Sequence, residues 1–320
     1  VRLHRPLLVL AAASALGAAV CFVGIVVDPR EILGQPVWAK PLKFCLSFVL
    51  YAVTLAWMIG LAPRAHRLLS VLGNVVVIGL LVEMVVIAGA AALGTTSHFN
   101  VASPAAIVAW SVMASSIVVV WLATAAVAVV LFRAPLGDPA RTLAIRAGLV
   151  IGLVGMALAF LMTGPTSDQL DSFEGVAGAH AVGVADGGAG LPLLGWSTEA
   201  GDLRIPHFVG MHALQAIPLL LIVLEWLSRR VPVLRDVTVR LRLVIVATAG
   251  FSGLVALVLW QALRGQSIVS PDVLTTTVGC SLAVLVILAC TIVLVRGRRS
   301  DPVEPSSAPS ATATGDEVAR

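Results

Sequence analysis

The chain has 320 residues, 59% of them apolar and only 12% charged, with a formal net charge of +4 and a mean hydropathy of +1.01. Soluble domains run roughly 45–50% apolar and about 25% charged, so this composition excludes an ordinary soluble enzyme, a disordered chain and a nucleic-acid binder. The charged side chains gather in short patches between long uncharged runs, the pattern of a chain threaded repeatedly through a bilayer.

In chain order, eight mostly apolar runs match a hydrocarbon core of ~30 Å: Pro6–Val27, Leu42–Ala62, Leu68–Leu93, Pro104–Phe132, Ala147–Thr163, Pro206–Leu227, Leu243–Leu263 and Val273–Val295. Unpaired backbone in lipid costs several kcal/mol per group, so each run predicts a helix. The period-2 alternation of an outer-membrane barrel is missing. The expected fold is all-α, a polytopic transmembrane bundle of eight spans. The fifth run is short and extends back toward Leu143. The first run follows Arg2 and Arg5 and, with its 22 residues, exceeds the 7–15 apolar residues of a secretory signal, so it reads as a membrane helix.

Alternate loops divide the basic residues unequally. One set holds Arg2, Arg5, Arg64, Arg67, Arg133, Arg141, Arg146, Arg229, Arg230, Arg235, Arg240, Arg242, Arg296, Arg298, Arg299 and Arg320. The other holds only Arg30, Lys40, Lys43, Arg204 and Arg264. The imbalance places both termini in the cytoplasm. The expected organisation is a transmembrane domain over 1–299, with one long outer loop at 164–204, and a tail at 300–320 rich in Ser, Pro, Ala and Thr that reads as disordered.

A loop as long as 164–204 reads as a lid or a binding loop. Its glycine-rich VGVADGGAGLP stretch predicts flexibility, and Leu191–Trp196 predicts a short amphipathic piece at the interface. The four cysteines, Cys21, Cys45, Cys280 and Cys290, all fall inside spans without CxxC or Cys/His spacing, so they read as small apolar filler.

A faint internal echo accompanies the spans. Ala92-Leu93-Gly94 leaves span 3 as Ala262-Leu263-Arg264-Gly265 leaves span 7, and each is followed by Ser-Pro, at Ser103-Pro104 and Ser270-Pro271. Pro41-Leu42-Lys43-Phe44 enters span 2 much as Ile205-Pro206-His207-Phe208 enters span 6. Two parallel four-helix halves would produce this, as in transporters built from parallel repeats.

Polar groups inside the spans carry the functional information, because each costs a few kcal/mol unless paired or hydrated. In span 6, Arg204, His207, Met211, His212, Gln215 and Pro218 fall within a sector of about 140° at 100° per residue, so this face should turn into the bundle, with a kink at Pro218. At ~1.5 Å per residue, His212 lies about 9 Å and Gln215 about 14 Å below the outer end, with Glu83 of span 3 at about 15 Å. Tyr51 reaches a similar level. Lys43, Ser47, His98, Asn100, Gln261, Arg264 and Thr275–Thr277 lie nearer the rim.

The expected site is an outward-opening polar cavity lined by Lys43, Glu83, His98, Asn100, Arg204, His207, His212, Gln215, Gln261 and Arg264, with Glu83 and Gln215 at its floor. His180 reads as an ordinary loop histidine. Lys40 and Lys43 read as holders of lipid headgroups or partners of Glu31 or Asp28, and Glu225 as a partner of Arg229 one turn away. The five-residue spacing of His207 and His212 is not that of two ligands on one helix face, so no metal site is assigned. Gly148 and Gly152 permit close helix packing.

At PLKF (41–44), SHFN (97–100) and HFVGMHALQ (207–215) the chain resembles a family of multi-pass bacterial membrane proteins to which no activity is assigned. The resemblance covers most of the chain except the tail and implies a bacterial plasma-membrane location. It supplies no catalytic residue and no cofactor.

The expected partners are the lipid bilayer and a small or lipidic ligand, not nucleic acid. Three roles compete: a transporter or sensor binding such a ligand, in which basic groups attract an anion and Glu83 takes a proton or cation; a membrane enzyme using His98, His207 and His212 as acid/base groups or metal ligands; and an assembly subunit whose polar residues lock helices together. No nucleotide-binding glycine loop, HExxH or GxSxG supports ATP-driven, zincin or serine-hydrolase chemistry.

Overall fold

A computed structural model describes residues 3–299; the tail at 300–320 lies outside them. Among the described residues, eight helical segments are long and apolar enough to cross a membrane. They are α1 (Arg5–Val27), α2 (Ala39–Ile59), α3 (His66–Leu93), α4 (Pro104–Arg133), α5 (Pro139–Ala157, continued as a 3-10 turn over Leu158–Met162), the pair α7 (Arg204–Met211) and α8 (Ala213–Leu227), α9 (Val237–Leu263) and α10 (Val273–Arg299). A short α6 (Ser167–Asp171) and two two-stranded hairpins, β1 (Glu31–Ile32) with β2 (Gln35–Pro36) and β3 (Ala181–Val182) with β4 (Gly201–Asp202), complete the chain.

Local sequence sets the helix starts. A side-chain acceptor followed by proline satisfies one orphan amide while proline removes another. His4 accepts from Leu7 N before Pro6, Ser103 from Ala106 N before Pro104, and Asp138 from Arg141 N before Pro139. The fifth span therefore begins at Pro139, earlier than Leu143. Span 6 is interrupted at His212, which ends α7 and opens α8. Pro218 sits buried inside α8, so the interruption falls above the proline rather than at it.

The packing repeats. In the first half α1 packs on α2, α3 on α4, α2 on α3 and α1 on α3; in the second, α5 packs on α7 and α8, α9 on α10, α7 and α8 on α9, and α5 on α9. The halves join where α4 meets α5 and α2 meets α8. A hairpin precedes the second span of each half. The third spans end alike: Gly94 (φ 68°) and Gly265 (φ 69°) take the left-handed conformation that glycine allows. Thr95 N then reaches Ala90 O at 2.9 Å, and Gln266 N reaches Gln261 O at 3.2 Å. The next helix is capped three residues from its acceptor in both halves, by Ser103 on Ala106 N and by Asp272 on Thr275 N.

Helix α2 is the most enclosed span, half of its most apolar stretch being buried, whereas none of the corresponding stretch of α10 is. Small residues bring α5 against span 6. Gly148 faces Ala213 O and Pro218, Gly152 faces Leu214, and a Cβ on Gly155 would lie 2.1 Å from the Gly210 carbonyl carbon. The cysteines divide: Cys21 and Cys45 are buried between α1 and α2, Cys290 is half-buried and Cys280 exposed.

Candidate functional site

The loops between spans 1 and 2, 3 and 4, 5 and 6, and 7 and 8 meet at one end of the bundle, and the connection at 163–203 lies over the others. Lys43 Nζ donates to Leu194 O at 2.9 Å, Ser267 Oγ to Ser197 O at 3.3 Å, and Asn100 bridges to Val176. This loop is ordered by its own contacts. Leu191–Trp196 forms a tight turn, with Leu191 N bonded to Trp196 O at 2.8 Å and Leu193 at φ 62°, rather than an amphipathic helix. The glycine-rich stretch, expected to be flexible, holds Asp186, whose carboxylate accepts from the backbone amides of His180 and Ala181.

Beneath this cap, Lys40 Nζ lies 3.0 Å from His98 Nδ1, and Ser97 Oγ lies 3.1 Å from the same nitrogen. An ammonium only donates, so Nδ1 is the acceptor and the proton of the neutral imidazole sits on Nε2. Burial, reinforced by the positive charge of Lys40, holds His98 well below the ordinary imidazole range. Its ring stands 5.4 Å from Trp110, 5.9 Å from Phe44 and 5.9 Å from Phe99. Phe99 is buried and has φ 61°, a conformation that costs a bulky residue of order 1–3 kcal/mol and clusters at functional sites.

Phe99 also stacks on His180, centroids 4.9 Å apart. His180 Nδ1 donates to Asp186 Oδ2 at 2.6 Å. Burial alone would raise the Asp186 carboxyl, but His180 and the loop amides hold it down to about 2. Burial outweighs Asp186 in keeping the His180 imidazole below its usual value. His180 is therefore a fixed member of the cluster, not an ordinary loop histidine.

The expected site residues divide into two groups. Glu83 is buried, 4% exposed, and its Oε2 has no hydrogen-bond partner among the described residues. It faces Lys40 within electrostatic reach but beyond ion-pair distance. With His98 and Lys43, it belongs to the Lys40 cluster. The rest are occupied locally. Arg204 pairs with the fully buried Asp202 at 2.6 Å, and His207 Nδ1 donates to Gly155 O at 2.8 Å. His212 bonds Gln215 at 3.2 Å. Gln261 donates to Ser267 O at 2.8 Å, and Asn100 closes its own turn on Thr95, Thr96 and Ala102.

Arg264 pairs with Asp272 at 2.6 Å and lies over Trp260. The Thr275 amide and Arg264 hold the Asp272 carboxyl below the usual range. No hydrogen bond joins Glu83 to Gln215, because the nearer partner of Gln215 is His212 on its own helix. Tyr51 bonds Thr124 in the core instead of lining the site. Asp28 pairs with Arg30, not with a lysine, and Glu225 pairs with Arg141 on α5, not with Arg229.

Two open recesses lie away from this cluster, one of about 420 Å³ at Gly137–Arg146 and one of about 560 Å³ along α10. Among the described residues, no three His, Cys, Asp or Glu side chains are grouped to hold a metal ion. Phe99, Trp110 and Asp186 are not singled out as site residues by the sequence; Lys40 reads from it as a headgroup holder or ion-pair partner, and His180 as a loop histidine. Lys40 carried a signal in its place one turn before Lys43, but the partners in the long loop are set by tertiary contacts alone.

No protein-family model, curated protein or solved structure matches the chain. The fold defines the class, an integral multi-pass membrane protein with eight span-length apolar helical segments among the described residues.

Proposed function

We propose that this protein binds a small or lipidic ligand at the Lys40–His98–Glu83 cluster, as a transporter or sensor, with Glu83 exchanging a proton as the ligand enters. The cluster faces outward in a bacterial plasma membrane, with both termini cytoplasmic, as the basic-residue imbalance argues. The observation that carries the reading is Glu83: a carboxylate about 15 Å below the outer end, buried, with Oε2 unbonded and no ion pair among the described residues. A carboxylate that locked helices together would have a partner, and an intramembrane ionisable group without one points to function. Lys40 is the charged group within its reach, and Lys40 and His98 stand in turn among charged or titratable groups: Lys43 on α2, His180 and Asp186 in the long loop, and Arg204 and His207 on α7. The enzyme reading is weaker, because His98 Nδ1 is occupied by Lys40 and His207 Nδ1 by Gly155.

The test is infrared titration of the full chain in lipid nanodiscs beside Glu83→Gln. The reading expects a titrating carboxyl band that is missing from the variant, and a melting temperature at or above wild type, since an unbonded buried carboxylate contributes no net stability. An identical titration in both proteins, or a variant several degrees less stable, overturns it.

A further inference from the structure

We infer that the ligand of this cluster is an amphiphilic monoanion whose acidic group sits between Lys40 and Lys43 and whose apolar part lies against Phe44 and Trp110; the inference rests on the proposed binding role of the site. The three arginines at this end each have a carboxylate: Arg30 has Asp28, Arg204 has Asp202 and Arg264 has Asp272. The two lysines have only neutral acceptors, an imidazole nitrogen at 3.0 Å and a peptide oxygen at 2.9 Å. Among the described residues, neither lies within 4.0 Å of a carboxylate.

They are three residues apart on α2, so both ammonium groups project from one face. Each has three donors and uses one. The carboxylates in their field are already committed, Asp186 to His180 and Asp202 to Arg204, leaving Glu83 alone. One acidic head can accept from both lysines and supplies the carboxylate that the fold does not place within reach of them. Uncompensated cations at the end of a membrane span are costly, and a bound anion removes that cost.

The surroundings define the remainder of the ligand. His98, which holds Lys40, is walled by Phe44, Phe99 and Trp110. Phe44 and Trp110 are half-buried, and Lys40 and Lys43 occupy the first turns of α2, at the edge of the apolar span. A charged head beside aromatic faces at that depth suits a molecule with one acidic group on an apolar tail. Lys43 is held by Leu194 in the tight turn of the long loop, so an entering head replaces that carbonyl and releases the turn.

The experiment uses the full chain in phosphatidylcholine nanodiscs, with tryptophan fluorescence as readout and empty nanodiscs to correct for partitioning. The probes are oleate, oleyl alcohol with the same tail and no charge, and acetate with the same head and no tail. Oleate is expected to bind saturably and the others not. Lys43→Gln and Lys40→Gln are each expected to weaken oleate about tenfold or more, because hydrogen bonds to charged groups are at stake. Lys43→Gln is the safer variant, since its contact is to an exposed loop residue. Binding of oleyl alcohol equal to oleate, saturable acetate binding, or unchanged oleate affinity in Lys43→Gln overturns the inference. Oleate bound saturably by a wild-type chain that shows no Glu83 titration sinks only the proton role. A normal titration without oleate binding sinks only the anion.

Discussion

In the second half of the bundle, Asp202 is closed by Arg204 and Ser197, Gln261 by Ser267, and Arg264 by Asp272 and Thr275. In the first half, on an equivalent arrangement of four spans, Lys40 and Lys43 rest on neutral acceptors and Glu83 on none. One half uses its polar side chains to fasten loops to helices; the other holds charges that its own residues leave uncompensated. The difference teaches that burial of polar groups near a membrane face does not by itself mark a site. What distinguishes Glu83 from Asp202, both buried carboxylates, is the set of donors around each.

The largest expected effect breaks the fastened half. Asp202 is fully buried and accepts from the Arg204 guanidinium, the Arg204 amide and the Ser197 amide. Asp202→Ala leaves the half-buried Arg204 guanidinium without its carboxylate and the Ser197 and Arg204 amides without their acceptor, a loss of about 3 kcal/mol. Thermal unfolding in mild detergent should show a far lower melting temperature than wild type. A variant as stable as wild type would erase the contrast between the halves.

An intermediate effect follows from the histidines. His98 and His180 are held below the ordinary imidazole value by burial, and His4 before α1 likewise. Above that value neither state binds the proton. Below it the unfolded chain takes protons that the folded chain refuses, so stability falls as the pH drops from about 6.5 toward the folded values, by up to ~1.4 kcal/mol per pH unit for each group. Melting temperatures between pH 7 and 5 should therefore fall. His98→Gln, whose amide oxygen still accepts from Lys40, should flatten the slope by up to one proton. An unchanged slope would place a charged imidazole at His98 and contradict its role as acceptor.

Much of the fold was legible because hydropathy and chain length determine where a backbone can cross lipid, and Ser103-Pro104 marks a helix start by itself; Asp138-Pro139 carries the same signal, but hydropathy places the fifth span only from Ala147, back toward Leu143. Glu83 was legible for the same reason, as a carboxylate in the middle of an apolar run. The helical wheel put Arg204, His207, His212 and Gln215 on one side of span 6, but rotation about an axis says nothing of what each side chain meets. Gly155 O, Asp202 and the interruption at His212 consume that face. His180 and Asp186 are six residues apart in a glycine-rich loop, where no periodicity constrains direction. Their place beside Phe99 depends on the pairing of Asn100 with Val176.

The smallest effect tests the comparison from the other side. Arg264, at the rim of the fastened half, is exposed, pairs with the exposed Asp272 and lies 4.4 Å above the Trp260 ring. Exposed pairs are screened by salt and add little to stability, and Asp272 keeps its cap on Thr275 N without the arginine. Arg264→Ala should leave both the melting temperature and oleate binding unchanged within error. If the substitution instead abolished oleate binding, the second half would be supplying a charge to the ligand. The asymmetry would then lie in which half holds the resting contacts, not in which half recognises the anion.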